Sequence, residues 1–277
     1  MVAPMKSASA VAFLALLLPS LPAHAAVGEW VRGQRAEARL VASGIGKDGR
    51  LDAGIEIALP AGWTTYWRTP GDAGVPPVID FSASANLGPA EVSFPVPTRT
   101  DEGGDTITNT YSDRVVFPVS APVTDPAKPV ALAVALHIGV CHEICVPEDV
   151  SLHLTVPAGE ADSSAGEILA AADALLPAPA EAGVFAVDNA TREGGPDRRP
   201  VFRFAGTIPD AAHADVFVEG PADWSPYTPE YAPGPDGKPA WTVQFSRTGS
   251  KIPIEGAKFR LTIRSAGRSI DQTIGLD

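Results

Sequence analysis

Apolar and polar positions alternate in short runs along most of this chain, and Gly, Pro, Asp and Asn separate the runs. Between residues 31 and 157 the runs include 37–42 (EARLVA), 54–59 (GIEIAL), 115–119 (VVFPV), 131–138 (ALAVALHI) and 150–156 (VSLHLTV). Alternation with period two turns one face of a strand to a core and the other to water. Repeated at roughly ten-residue spacing with turn residues between, it predicts an antiparallel sandwich. The prolines in 94–97 (FPVP) and at Pro118 remove ladder donors, so they mark edge strands or strand ends. The pattern changes at Pro157. Residues 158–183 are Ala-rich, and 164–176 reads as one short helix, capped by Ser163 or Ser164 and closed by Pro177. Strand-like runs return at 184–187, 201–204, 214–218, 241–245 and 259–263. The stretch 220–239 (GPADWSPYTPEYAPGPDGKP) is too rich in Pro and Gly for a regular element and predicts a long loop. The expected architecture is all-β: a first sandwich over 27–157, a helical linker over 158–183 and a second sandwich over 184–277.

Composition narrows the partners. The chain has a net charge of −12 and no basic run, which argues against nucleic acid and against anionic membrane surfaces. An apolar fraction of 45% with 19% charged residues fits a folded protein and not a disordered one. Residues 1–25 carry one charge, Lys6, then an apolar run, then Ala23-His24-Ala25. That is the layout of a cleaved secretory signal peptide, which places the mature chain in the periplasm, where disulfides persist. The longest later apolar stretch, 129–140, includes His137 and is well short of the ~20 residues a spanning helix needs, so no membrane span is expected after the signal.

The chemistry concentrates in 139–149 (GVCHEICVPED), which holds both cysteines, Cys141 and Cys145. On one straight strand they would lie roughly 13 Å apart, whereas a disulfide needs Cα atoms within about 7 Å. Bonding therefore requires a turn through His142, Glu143 and Ile144. Three readings stay open. As a staple, so small a loop gains only about 2 kcal/mol of chain entropy, and a sandwich of this size has little need of it. As a metal clip, Cys141, Cys145 and His142, with His137 and His153 nearby, offer ligands for Cu(I) or Zn(II). As a redox pair, the thiols would be close and partly exposed. His142 would favour a thiolate there, while Glu143, Glu148 and Asp149 would oppose it. The five histidines and the scattered acids form no triad or metal-ligand spacing.

Three stretches, in order, resemble one family. Residues 136–154 (LHIGVCHEICVPEDVSLHL) are similar to the active-site hairpin of the amino-terminal periplasmic domain of the thiol:disulfide interchange protein DsbD, and closer to its ScsB-type relatives. Residues 60–68 (PAGWTTYWR), extended by 69–74 (TPGDAG), resemble that family's aromatic strand, and 111–119 (YSDRVVFPV) its Y-x-D-R strand. The resemblance covers roughly 30–157, with a looser likeness of the rest to a second ScsB-type β-sandwich. It implies an immunoglobulin-like fold whose Cys141–Cys145 pair cycles between dithiol and disulfide, without a cofactor. It implies a donor that is thioredoxin-like or a DsbD- or CcdA-type membrane conduit, and a disulfide-containing periplasmic acceptor. Any activity would thus be protein-disulfide reductase-like and dependent on a separate electron donor. By position, Cys145 matches the cysteine that forms the mixed disulfide and Cys141 the resolving one. Trp63, Tyr66, Trp67, Tyr111 and His142 fall at site-lining positions. One departure stands out: the stretch matching the family's aromatic cap loop, 100–109 (TDEGGDTITN), is Gly-rich and polar.

Overall fold

The computed structural model describes residues 27–104, 106–158, 163–235 and 237–277. The signal-peptide expectation for 1–25 lies outside the described residues.

The first sandwich comprises β1 (Val31–Arg32), β2 (Glu37–Ile45), β3 (Arg50–Ala58), β4 (Thr64–Gly71), β5 (Val78–Asp80), β6 (Glu91–Val92), β7 (Thr98–Asp101), β8 (Ile107–Ser112), β9 (Arg114–Pro122), β10 (Val130–Cys141) and β11 (Cys145–Val156). One sheet runs β1-β2-β3-β9-β6. The other runs β11-β10-β4-β8-β7, with β5 on the side of β10. In β10 the residues Val130, Leu132, Val134, Leu136, Ile138 and Val140 are buried; in β11 so are Val150, Leu152, Leu154 and Val156. The predicted runs therefore fall in β2, β3, β9, β10 and β11, with Leu59 alone just past the end of β3, and period two turns each apolar set onto one core.

The helix α1 (Ser163–Asp173) follows, close to its predicted span. It buries Ala165, Leu169 and Ala172, and it packs on β2 and β9 of the first sandwich. It is more than a tether.

The second sandwich comprises β12 (Ala178–Pro179), β13 (Ala186–Gly194), β14 (Val201–Thr207), β15 (Asp215–Glu219), β16 (Ser225–Pro226), β17 (Glu230–Tyr231), β18 (Ala240–Ser246), β19 (Lys258–Ser265) and β20 (Arg268–Gly275). Its sheets run β12-β20-β19-β15 and β13-β14-β18-β16, with β17 also on β18. The stretch read as a long loop thus contributes two short strands to the edge of β18. A core of Phe202, Phe204, Phe245 and Phe259 with Trp224 and Trp241 fills the space between the sheets.

The two sandwiches meet along β15. Val216 and Val218 belong to the second core, while Phe217 between them belongs to the first. Phe217 meets Trp67 edge-on at 5.4 Å between ring centroids, and the Arg99 guanidinium lies 4.9 Å from its ring centre. Beside it, Arg68 makes a bidentate bond to Glu219, whose carboxylate also accepts the Thr69 hydroxyl at 2.8 Å. Among the described residues no helix is long and apolar enough to cross a membrane.

Candidate redox site

The β10–β11 ladder continues in unbroken register until Cys141 faces Cys145. The chain then reverses through 142–144, where the His142 N–H donates to the Ile144 carbonyl at 3.0 Å. This is the turn that the spacing demands. The two Cα atoms stand 4.1 Å apart and the sulfurs are bonded. The two halves of the disulfide differ in access. Cys141 is 4% exposed, whereas Cys145 lies on the open side of the hairpin. Ile144, the turn residue beside it, is also exposed.

Tyr66 sits closer to the buried half. β4 pairs with β10 only at its tip, with Thr64 opposite Cys141 and Thr65 opposite Val140. The Thr65 hydroxyl donates to the Gly139 carbonyl at 2.9 Å and fixes this short register. Alternation then turns Tyr66 toward the sulfurs and Trp67 away from them. The Tyr66 hydroxyl donates to Cys141 Sγ at 3.0 Å and lies 3.5 Å from Cys145 Sγ. Burial, with a smaller contribution from the Glu102 carboxylate, raises the Tyr66 pKa above its ordinary value. The phenol therefore stays protonated, and a donor, throughout the physiological range.

A loop at 71–77 covers Tyr66. A Cβ on Gly74 would lie 2.3 Å from the Tyr66 ring, and Gly74 has φ +103°, a conformation open to glycine and strained for other residues. The loop is tied to the β7–β8 hairpin: the Asp72 N–H donates to the Ile107 carbonyl at 2.9 Å, and the Ile107 N–H donates to Asp72 Oδ2 at 3.0 Å. The polar stretch 100–109 thus forms this hairpin, and the segment resting on the site tyrosine is 71–77. Gly74→Val should displace the cover. We expect a loss of about 1–3 kcal/mol of stability and faster reduction of the disulfide by a small thiol, read by following thiol release with time.

The remaining predicted site residues separate into two groups. Trp63 stands against the His142 ring at 5.8 Å between centroids, with the Arg35 guanidinium 5.2 Å from its own ring centre. These residues hold the hairpin tip from the side. Trp67 and Tyr111 lie on the core face. Trp67 packs on Phe217, and Tyr111 donates its hydroxyl to the Pro95 carbonyl at 2.6 Å while meeting Phe117. Burial raises the Tyr111 pKa.

The acids after Cys145 do not crowd the sulfurs as their sequence proximity suggests. Glu148 is 1% exposed and accepts the backbone N–H groups of Gln34 and Arg35, tying the turn at 33–36 to the hairpin. Asp149 pairs with His137. Sequence reasoning missed the Glu148 role. The signal was available: Glu148 keeps the parity of Val150, Leu152 and Leu154, so it sits at an inward position of the strand. Among the described residues no group of three or more His, Cys, Asp or Glu side chains is placed to hold a metal ion.

Residues 33–157 match the family model described as thiol:disulfide interchange protein DsbD, N-terminal. Among solved structures the chain is similar to the N-terminal periplasmic domain of ScsB from Proteus mirabilis. The TM-score is 0.70 at 22% sequence identity, covering 91% of this chain and 98% of that one. That likeness takes in both sandwiches and is a likeness of fold. No curated protein sequence matches the chain.

Proposed function

We propose, from the premise that residues 33–157 form a domain of the DsbD amino-terminal family, that this chain is a thiol–disulfide exchange module working in the periplasm. In this reading the domain over 27–157 carries the chemistry, and the domain over 184–277 braces it through β15. The observation that carries the proposal is the asymmetry of the disulfide: Cys145 is an exposed residue, and Cys141 is buried with its sulfur under a hydroxyl donor.

The exchange follows from that geometry. A thiolate of a dithiol donor attacks Cys145 Sγ, the exposed sulfur, in line with the S–S bond. The bond breaks and Cys141 leaves as a thiolate, which the Tyr66 hydroxyl stabilises by a charge-assisted hydrogen bond. The donor's second thiolate then attacks the donor sulfur of the mixed disulfide and expels the Cys145 thiolate. The donor departs as a disulfide, and the module holds two electrons as a dithiol. With an acceptor the steps reverse: Cys145 attacks the acceptor disulfide, and Cys141 then attacks Cys145, restoring the bond and releasing the acceptor as a dithiol. Val75, which is exposed and lies near Gly139, and Ile144 offer apolar contact on either side of the disulfide for a protein partner. The donor is a separate polypeptide, thioredoxin-like or a membrane conduit of DsbD or CcdA type, and the acceptor is a periplasmic disulfide protein.

The test is a covalent trap. A thioredoxin-like protein that retains one activated cysteine should form a one-to-one adduct with the Cys141→Ala variant and none with Cys145→Ala. A folded Cys141→Ala variant that forms no adduct would sink the proposal, as would equal trapping by both variants.

A further inference from the structure

β4 is interrupted immediately after the residue that touches the sulfurs. Its ladder with β8 places Thr64, Thr65 and Tyr66 opposite Ser112, Tyr111 and Thr110, then resumes with Gly71 opposite Thr108. Residues 67–70 therefore stand against Asn109 alone, and the strand bulges there. A bulge gives up ladder bonds, so other groups must hold it. From the first sandwich, the Asn109 amide donates to the Thr69 carbonyl at 2.9 Å. The second sandwich holds it from the other side. Phe217 packs on Trp67, and Glu219 accepts Arg68 Nε at 3.0 Å, Arg68 Nη2 at 2.7 Å and the Thr69 hydroxyl at 2.8 Å. Arg68 also donates to the Thr262 hydroxyl of β19 at 3.3 Å.

The bulge lies between the two features that govern Cys141. Before it stands Tyr66, the hydroxyl donor to that sulfur, and after it begins the 71–77 cover, whose Gly74 rests on the Tyr66 ring. The base of the cover is confined as well. Gly71, Ile107 and Asn109 share a cavity of about 20 Å³ with Pro226, Tyr227 and Thr228 of the second sandwich, room for about one water. The Arg68 and Glu219 side chains are 15% and 17% exposed, so removing the carboxylate strands a mostly buried guanidinium, a larger loss than at a surface pair. We infer that Glu219 is a positioning residue. From the second sandwich it fixes the bulge so that the 71–77 loop stays closed over Tyr66 and Cys141, which confines exchange to Cys145. This deepens the proposed exchange function and rests on that reading for its use, but the clamp is measured without a partner protein.

Amide hydrogen exchange of the full chain tests it, because the Asp72 N–H is bonded to the Ile107 carbonyl while the cover is tied down. In Glu219→Ala the Asp72 amide should exchange about tenfold faster, while the amides of β10 keep their protection. Cys141 in the Cys145→Ala background should react with iodoacetamide about tenfold faster per thiolate, the thiolate being followed by its ultraviolet absorbance. Cys145 in the Cys141→Ala background should stay within about twofold of its rate with Glu219 intact. Glu219→Gln guards against a variant that fails to fold. It keeps the side-chain volume and one acceptor oxygen, and the Asp72 and Cys141 rates should rise about threefold. Asp215→Asn breaks the Arg264 pair at the far end of the same strand and should leave both rates at wild-type values. Wild-type rates in folded Glu219→Ala and Glu219→Gln would overturn the inference. Equal acceleration at Cys145, or acceleration by Asp215→Asn, would overturn it too, by making the contact a general brace. These rates involve no partner, so failure of the clamp and failure of the covalent trap are read separately.

Discussion

Phe217→Ala is expected to cost about 3–5 kcal/mol, the range for deleting a buried phenylalanine ring. For a chain of this size that lowers the melting temperature by an amount on the order of 10 °C. The expectation rests on where the ring sits. Phe217 is a residue of the second sandwich but is 2% exposed inside the first core, against Trp67 and beneath Arg99. Removing it leaves a cavity at a seam, where collapse would have to move two sheets at once. It also leaves the Arg99 guanidinium without its ring, although burial already lowers the pKa of Arg99. The two sandwiches should therefore separate as cooperative units, and the calorimetric trace should broaden or split. A Phe217→Ala protein that melts within about 2 °C of wild type as one sharp transition would show that β15 does not hold the sandwiches together.

The largest chemical effect should appear between the two cysteines. In Cys141→Ala the remaining thiol, Cys145, stands on the open side of the hairpin. In Cys145→Ala the remaining thiol, Cys141, lies beneath Tyr66 and the 71–77 loop. Access and thiolate character together set the alkylation rate. Iodoacetamide should modify Cys145 on the order of 100-fold faster than Cys141 at pH 8. Tyr66→Phe in the Cys145→Ala background tests the cause. Loss of the hydroxyl removes the hydrogen bond that favours the Cys141 thiolate, so modification should slow further at a given pH. Equal rates for the two single-cysteine variants would remove the asymmetry on which the exchange chemistry depends.

How far the sequence reveals this arrangement depends on which alternation is involved. β10 and β11 are legible because apolar residues occupy every second position from Val130 to Val140 and from Val150 to Val156, and each strand keeps one face on one core. The turn at 142–144 followed from the spacing of the two cysteines and the reach of a disulfide. β15 was legible as a strand but not as a bridge. Its run Val216-Phe217-Val218 is continuously apolar because alternate residues enter different cores, and a continuous run by itself does not say which cores. The same limit applies to the aromatic strand. Trp63, Tyr66 and Trp67 lie in one of the three stretches that resemble the family. Only the pairing of β4 with the tip of β10 sends Tyr66 to the sulfurs and Trp67 to the seam. The cover over Tyr66 was out of reach for another reason. It is made by backbone at Gly74, and the glycine's signal is the absence of a side chain. The short strands β16 and β17 were hidden in a stretch whose prolines and glycines indicate a loop.

The account rests on one claim, that the Cys141–Cys145 bond is a working redox couple and not a staple. Its reduction potential tests that claim most directly. A bond closing so short a loop, with one sulfur exposed, should equilibrate with a glutathione redox buffer at a potential above about −300 mV. It should do so without loss of the folded state, because β10 and β11 are held by their ladder and core on either side of the turn. A potential below about −300 mV, or reduction that unfolds the first sandwich, would contradict the account and assign the pair to structure.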